Sequence, residues 1–475
     1  MELKDKRVLV VGLGKSGVAS ALFLKAHGAR VTVSDTKSGD ELRNEIPVLL
    51  DHGITVETGG HGDRTFRGQD MIVVSPGVPV DAPPLAQARA QGVTVIGEIE
   101  LAARFLPGSI VAITGSNGKT TTTTLAGEIM TAAGFPALVG GNIGTPAISL
   151  AEQAQPETVI VLEVSSFQLE TIQTFCPKVA VVLNVTPDHL DRHRTFEAYT
   201  DAKARIFENQ QASDFAVLNA DDPTCVAMAT RTRAQVFWFS RQKELQQGAE
   251  VRDGAIVFRD ARKEVRPVRS SGPDSVFVGP NERQTIMLVS EIPLKGAHNL
   301  ENVLAAVCAG VLMGCAPEKI RQAVREFKAV EHRLEFVASI GGVDYYNDSK
   351  ATNVDATIKA LESFPANIHL ILGGKDKGSD YTVLNDLVRQ RVKRVYTIGA
   401  AAAKIESQIK AAEIVHAETL DHALRKAHAA ARPGDVVLLA PACASFDQFK
   451  NYEHRGHAFK EIVRALAADT QVRST

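Results

Sequence analysis

The residues best suited to chemistry sit in one loop. Ile110-Val111-Ala112-Ile113 reads as a buried strand, and Thr114-Gly115-Ser116-Asn117-Gly118-Lys119-Thr120-Thr121 follows it. A helix is expected next, from Thr122 to Ala133. A glycine-rich turn between strand and helix points backbone N–H groups at phosphate oxygens. A lysine placed as Lys119 is reaches the β- and γ-oxygens, and a hydroxyl placed as that of Thr120 holds Mg2+. Ile113 stands where the common phosphate loop has its first glycine, but the strand–Gly-Lys-Thr–helix context carries the reading.

Such a loop needs a carboxylate near its metal. Thr158-Val159-Ile160-Val161-Leu162-Glu163 offers one at the end of an apolar strand, where a charge is costly unless it is paired or metal-bound. Strand carboxyl ends face the ligand crevice of a parallel sheet. A plain salt bridge is the alternative for Glu163. His189 leaves the next strand, Val179 to Asn184, on the same expected edge, as a metal ligand or as an ordinary surface histidine. Thr195 is a plausible N-cap of the helix that follows. Phe196, Tyr199, Lys203, Ile206 and Phe207 then fall on one helical face, so Lys203 lies on the apolar stripe. Either its amine snorkels to the rim, or it is a desolvated, partly neutral functional group.

A second phosphate-binding pattern opens the chain. Val8–Val11 runs into Gly12, Gly14 and Gly17, spaced G-x-G-x-x-G, then a helix-like segment from Val18 to His27 and a strand ending at Ser34-Asp35. Glycines admit phosphate to the backbone, the helix N-terminus attracts the anion, and the acid falls where a ribose hydroxyl would be. This supports a nucleotide diphosphate more than a nicotinamide cofactor in particular. A tight turn without ligand is the alternative. In the last third, polar clusters end or flank strands: His332–Glu335, Tyr345–Asn353, Ile371–Lys377 and Leu438–Asp447. They suggest one convergent site, with Arg333, Lys350 and Lys377 available for carboxylate or phosphate. Cys443, beside alanines, reads as a small buried group.

The elements that must position these residues are short β-branched runs alternating with helix-like segments, the pattern of parallel α/β sheets. Val31–Val33, Met71–Val74, His369–Leu372 and Val436–Leu439 complete the series. Residues 240–285 differ, with weak alternation and a turn at Asp253-Gly254, and are expected to be an antiparallel excursion or long surface loops. A length of 475 residues suggests about three domains, with boundaries near Gly97 and Ala329: residues 1–97, 98–329 and 330–475. The expected fold is therefore α/β, with a Rossmann-like N-terminal domain, a central ATPase-like domain built on the phosphate loop, and a Rossmann-like C-terminal domain. Lys+Arg total 53 against Asp+Glu 55, which argues against a broad nucleic-acid surface. The five dispersed cysteines argue against a disulfide framework or structural zinc. The longest near-apolar run, Leu304 to Ala316, is too short for a bilayer. A cytoplasmic chain follows, expected to be monomeric and to bind no membrane.

Taken together the motifs resemble the Mur ligase family. The matching stretches are Gly115–Thr121, Gly140-Gly141-Asn142-Ile143-Gly144, Glu163–Leu169, Asn184–Asp191, His298-Asn299, Asn347–Asn353 and Pro441–Tyr452. The resemblance implies an ATP-dependent amide ligase that adds D-glutamate to UDP-N-acetylmuramoyl-L-alanine through an acyl phosphate, in peptidoglycan precursor synthesis. By motif it implies that Gly115, Ser116, Asn117, Gly118, Lys119, Thr120, Thr121, His298, Asn299, Arg333 and Asp348 serve ATP. Thr120, Glu163, His189 and Lys203, the last as a carbamate, would hold Mg2+, and Lys119, Glu163, His189 and Lys203 would be catalytic. Ser16, Asp35, Thr36, Gly77 and Asn142 would serve the UDP-sugar, Lys350, Thr352, Lys377, Ser445 and Tyr452 the D-glutamate, and Ser165 would also bind substrate. Lys15 departs from an often apolar family position, and Lys375 competes with Lys377. Rival readings are another Mur-type or folylpolyglutamate-type ligase, a nicotinamide-dependent oxidoreductase, and a non-catalytic nucleotide-binding module.

Overall fold

The computed structural model describes residues 1–62, 65–261, 283–294, 296–328 and 330–474. Contacts divide the chain into two compact units, Met1–Glu291 with Glu301–Glu326, and Ile292–Leu300 with Phe327–Thr475. The expected boundary at Ala329 lies outside the described residues.

The first unit holds two sheets. One is parallel, in the order Thr55–Glu57, Arg30–Ser34, Arg7–Val11, Met71–Val74, Thr94–Gly97. Its order reverses direction at Arg7–Val11, where open α/β sheets leave a crevice at the strand carboxyl ends. The helix that follows spans Lys15–Ala26, starting three residues before the expected Val18. Gly17 lies inside it because a Cβ there would stand 1.8 Å from Gly12 O; the third glycine serves helix-to-strand packing.

The other sheet carries the phosphate loop. Among the described residues its order is Arg283–Leu288, Ala255–Arg259, Gly248–Arg252, Gln235–Ser240, Phe215–Asn219, Val179–Val182, Ser109–Thr114, Val159–Glu163, Ala137–Gly141. Ser109–Thr114 lies between Val159–Glu163 and Val179–Val182, both parallel to it. The three runs are β-branched because both faces are covered; Val159 to Leu162 are fully buried, each worth about 1.5–3 kcal/mol relative to exposure. The strands Gly248–Arg252, Ala255–Arg259 and Arg283–Leu288 pair antiparallel. The first two are joined at Asp253 and Gly254, both with positive φ, the turn that matches strand twist in a two-residue hairpin. The remainder of the 240–285 excursion, residues 262–282, lies outside the described residues.

The second unit has one sheet, in the order Glu335–Ile340, Val343–Asn347, Val436–Leu439, Ile368–Gly373, Val392–Ile398, Glu413–Glu418. Among the described residues only its first pair is antiparallel. Helices cover both faces, giving a core on each side. Among the described residues no helix is long and apolar enough to cross a membrane.

Candidate functional site

The phosphate loop leaves Ser109–Thr114 and enters the helix Lys119–Ala132, three residues earlier than the run of threonines suggests. Gly118 makes the entry with φ 85°, and a Cβ on it would lie 2.1 Å from Asn302 Oδ1. Asn302 was missed in the sequence reading; its i, i+3 spacing from Asn299 was the available signal. The loop is tied down on two sides. Ser116 Oγ donates to Thr186 O at 2.9 Å, accepts from Thr186 N, and lies 3.1 Å from Tyr199 OH. Asn117 N donates to Asn184 Oδ1, and Asn184 Nδ2 donates back to Asn117 O. Lys119 Nζ folds over the loop, donating to Gly115 O and Ser116 O at 2.9 Å.

Glu163 sits beside this loop. Thr120 Oγ1 donates to its Oε2 and Asn142 Nδ2 to its Oε1, each at 2.7 Å. The residue is 2% exposed, and both partners are neutral, so these bonds do not cancel its charge. A buried carboxylate so placed suits a cation, and among the described residues no salt bridge to it is found.

Lys203 does not snorkel. It is 1% exposed, its Nζ donates to Gly115 O at 2.8 Å, and the amine lies 4.6 Å from the Tyr199 ring centre. Burial, then the nearby Lys119 charge, holds its pKa well below the ordinary lysine value, which favours the uncharged amine. The helix carrying it, Phe196–Ala204, is capped as expected by Thr195, whose side chain accepts from Ala198 N.

His189 takes a left-handed backbone (φ 53°) at the strand exit. Its ring meets Phe167 edge-on at 5.0 Å, and Nε2 is 3.7 Å from Asp188 Oδ2. Its neighbour in space is His193, absent from the sequence reading, which stacks on Phe167 and pairs Ser166 Oγ at 3.0 Å. Ser165 forms a capping box with Gln168 at the start of Ser166–Leu169.

In the N-terminal sheet, Ser16, Asp35, Thr36 and Gly77 line one cleft of about 390 Å3, together with Lys15, Lys37 and His61. Lys37 and His61 were not singled out in the sequence. Asp35 accepts from Leu13 N at 2.6 Å and Lys37 N at 2.8 Å, so its carboxylate shapes the glycine turn. Arg192 reaches the far wall, donating to Gly77 O and Val78 O.

In the second unit the polar clusters do converge. An antiparallel bridge joins Lys375 to Ala444, which sets the Ile371–Lys377 segment beside Ser445. Lys350 Nζ lies 3.7 Å from the centre of the Tyr452 ring. Lys375 and Lys377 are both exposed, and Thr352 N bonds to Lys350 O. Arg455, unremarked in the sequence, holds the group together. It is 1% exposed and donates to Ser349 Oγ, Ser349 O and Cys443 O at 2.8–3.1 Å. Burial pushes its pKa down to about 10. Asp348 is pushed up to about 7 by burial, against the Arg333 charge and the Leu334 N–H. His298 is pushed down to about 4 by burial, then by Lys359 and Arg333, and is neutral at pH 7; Asn299 beside it is buried. Cys443 is buried 2.9 Å from Tyr381 OH, its thiol pushed up to about 11, which fits a structural role.

Three family models match the chain: "Mur ligase MurD-like, N-terminal domain" over residues 6–97, "Mur ligase middle domain" over 113–310, and "Mur ligase, glutamate ligase domain" over 332–443. Among curated relatives, the UDP-N-acetylmuramoylalanine--D-glutamate ligase of Koribacter versatilis is 64% identical, covering 98% of this chain and 99% of its own. That of Acidobacterium capsulatum is 58% identical, covering 98% and 97%. Two solved structures share the fold. One is the MurF ligase of Thermotoga maritima in complex with ADP (TM-score 0.59, 17% identity, 98% of this chain and 97% of that one). The other is a pseudomurein peptide ligase type C from Methanothermus fervidus (TM-score 0.57, 20% identity, 97% and 100%).

Proposed function

The chain belongs to the Mur ligase family, and from that premise we propose that it is an ATP-dependent ligase joining D-glutamate to UDP-N-acetylmuramoyl-L-alanine in peptidoglycan precursor synthesis. The observation that carries the reading is the buried amine of Lys203 against the phosphate loop, its pKa held well below the ordinary lysine value by burial. A nicotinamide-dependent oxidoreductase has no use for it.

The proposed roles follow the three sheets. The cleft lined by Ser16, Asp35, Thr36 and Gly77 takes the UDP-sugar, in residues 1–97, with Asn142 and Ser165 contributing to that substrate. Residues 98–329 take ATP: the N–H groups of Gly115 to Gly118 and the Lys119 amine face its phosphates. Residues 330–475 take D-glutamate through Lys350, Thr352, Lys377, Ser445 and Tyr452. His298, Asn299, Arg333 and Asp348 serve the nucleotide. The chain is proposed to work as a cytoplasmic monomer.

The unprotonated form of the Lys203 amine adds CO2 and loses a proton, giving a carbamate. Thr120, Glu163, His189 and that carbamate fit Mg2+, which when bound would neutralise phosphate charge. The muramoyl-alanine carboxylate attacks the γ-phosphorus of ATP, ADP leaves, and an acyl phosphate forms. Lys119 follows the transferring charge through its three N–H donors. The neutral amine of D-glutamate then attacks the acyl carbon; the tetrahedral intermediate expels phosphate, and the amine proton is lost to solvent. Positioning and preset charge supply most of the acceleration.

Phosphate release is measured with UDP-N-acetylmuramoyl-L-alanine against a panel of amino acids. Turnover with D-glutamate is expected. Turnover with L-lysine but not D-glutamate, or NAD(P)H oxidation without phosphate release, refutes the assignment.

A further inference from the structure

The second unit holds another cluster of donor atoms, one the ligase reaction does not use. Glu331, His332 and His457 each offer one donor atom, and the three atoms lie within 4.8 Å of one another. Glu331 and His332 precede the strand Glu335–Ile340, and His457 lies on the helix Tyr452–Ser474. The two imidazoles meet edge to face at 4.7 Å, and His457 Nδ1 is 3.6 Å from Glu331 Oε1.

His332 is the decisive member. It is 2% exposed, and its Nδ1 is 2.9 Å from Asn347 Nδ2. Its Nε2 is buried with no hydrogen-bond partner among the described residues. An interior nitrogen left in that state costs about 1–3 kcal/mol, so something that satisfies it is favoured.

We propose that Glu331, His332 and His457 form a site for a borderline transition-metal cation of the zinc class. Its ligands are His332 Nε2, a ring nitrogen of His457, the Glu331 carboxylate and one solvent molecule. Two imidazoles in the donor set select against Mg2+ and Ca2+, which take oxygen ligands. Asn347 Nδ2 now donates to Nδ1, so with the ion on Nε2 the ring proton moves to Nδ1 and the Asn347 amide turns to present its oxygen there. Lys460 is the built-in competitor. Its ammonium pairs with Glu331 Oε1 and with Glu335 Oε1, the latter at 2.8 Å, so the ion must take over Glu331 while Lys460 keeps Glu335. An occupied site fastens the C-terminal helix to the segment just before Arg333.

The full-length chain is titrated with Co2+, whose visible absorption reports a tetrahedral site, and then with Zn2+ as the displacing ion. One equivalent per chain is expected, displaced by Zn2+ and not by excess Mg2+. His457→Gln and Glu331→Gln should each weaken binding at least about tenfold. Lys460→Met should tighten it by removing the competing charge. His457 is half-exposed, so its variant should melt as the parent does without metal. No tetrahedral Co2+ spectrum, or one unchanged in both ligand variants, overturns the proposal. None of these readouts depends on ligase turnover.

Discussion

Replacing Lys203 by methionine should move activity and stability in opposite directions. Methionine fills a similar apolar volume without a charge, so the packing against Tyr199 is kept. Gly115 O does not become an orphan, because Lys119 Nζ also donates to it at 2.9 Å. What is lost is the amine and the carbamate it would carry. Removing one preset charge partner from a transition state costs about 10²–10³ in turnover, or roughly 3–4 kcal/mol. The stability change has the other sign. The folded state holds Lys203 well below the ordinary value of 10.5, so between the two pKa values the unfolded chain binds the extra proton. Stability of the parent therefore rises with pH across that window, by about 1.4 kcal/mol per pH unit for this one group. Methionine removes that slope. In CO2-free buffer the variant should be the more stable protein at pH 7, and its advantage should vanish as the pH approaches 10.5. Phosphate release and urea denaturation at several pH values measure both effects. Lys203→Ala, which leaves room beside the loop, should recover part of its activity with added short carboxylates. Turnover of the methionine variant within about twofold of the parent, or a variant less stable than the parent at pH 7, refutes this reasoning.

Other perturbations test neighbouring parts. Glu163→Gln can keep both hydrogen bonds, with Thr120 turning from donor to acceptor, yet it loses the charge; phosphate release should fall at least about 100-fold with an unchanged melting temperature. Gly118→Ala places a methyl against Asn302 at φ 85°, so it should cost about 1–3 kcal/mol of stability and raise the KM for ATP, read by denaturation and steady-state kinetics. Glu98 is pushed up to about 7 by burial, and its Oε2 has no hydrogen-bond partner among the described residues. Its folded form keeps a proton that the unfolded chain releases, so this group's contribution to stability is lost as pH rises from about 4.5 to 7. Glu98→Gln should remove that loss, up to about 3 kcal/mol, in denaturation curves at pH 5 and pH 8. Arg455→Met strips three buried acceptors of a charged donor and should cost about 3 kcal/mol or more, with the KM for D-glutamate rising before that for ATP.

Local chemistry made much of the site legible in the sequence. A strand that must be buried on both faces is written in β-branched residues, so the strand run ending at Glu163 and the loop Gly115–Thr121 announce themselves within a few positions. Helical periodicity placed Lys203 on the apolar stripe, and Asp253-Gly254 marked a turn that the fold makes into a hairpin. Helix starts were less legible. The early entries at Lys15 and Lys119 depend on how Gly17 and Gly118 pack against distant atoms, Gly12 O and Asn302 Oδ1.

Spacing alone determined which residue types stand at strand ends, because backbone geometry repeats every two or 3.6 residues and needs no partner. The tertiary structure decided what those residues are worth. Whether Lys203 escapes to solvent or stays neutral depends on the walls around it, and whether Glu163 is paired depends on Asn142 and Thr120, 21 and 43 residues away. Nothing in the local sequence sets Arg455 apart; chain segments about 100 residues apart close over it. The lone nitrogen of His332 is likewise a property of packing: desolvation and charge coupling act through space, and only the folded chain sets those distances.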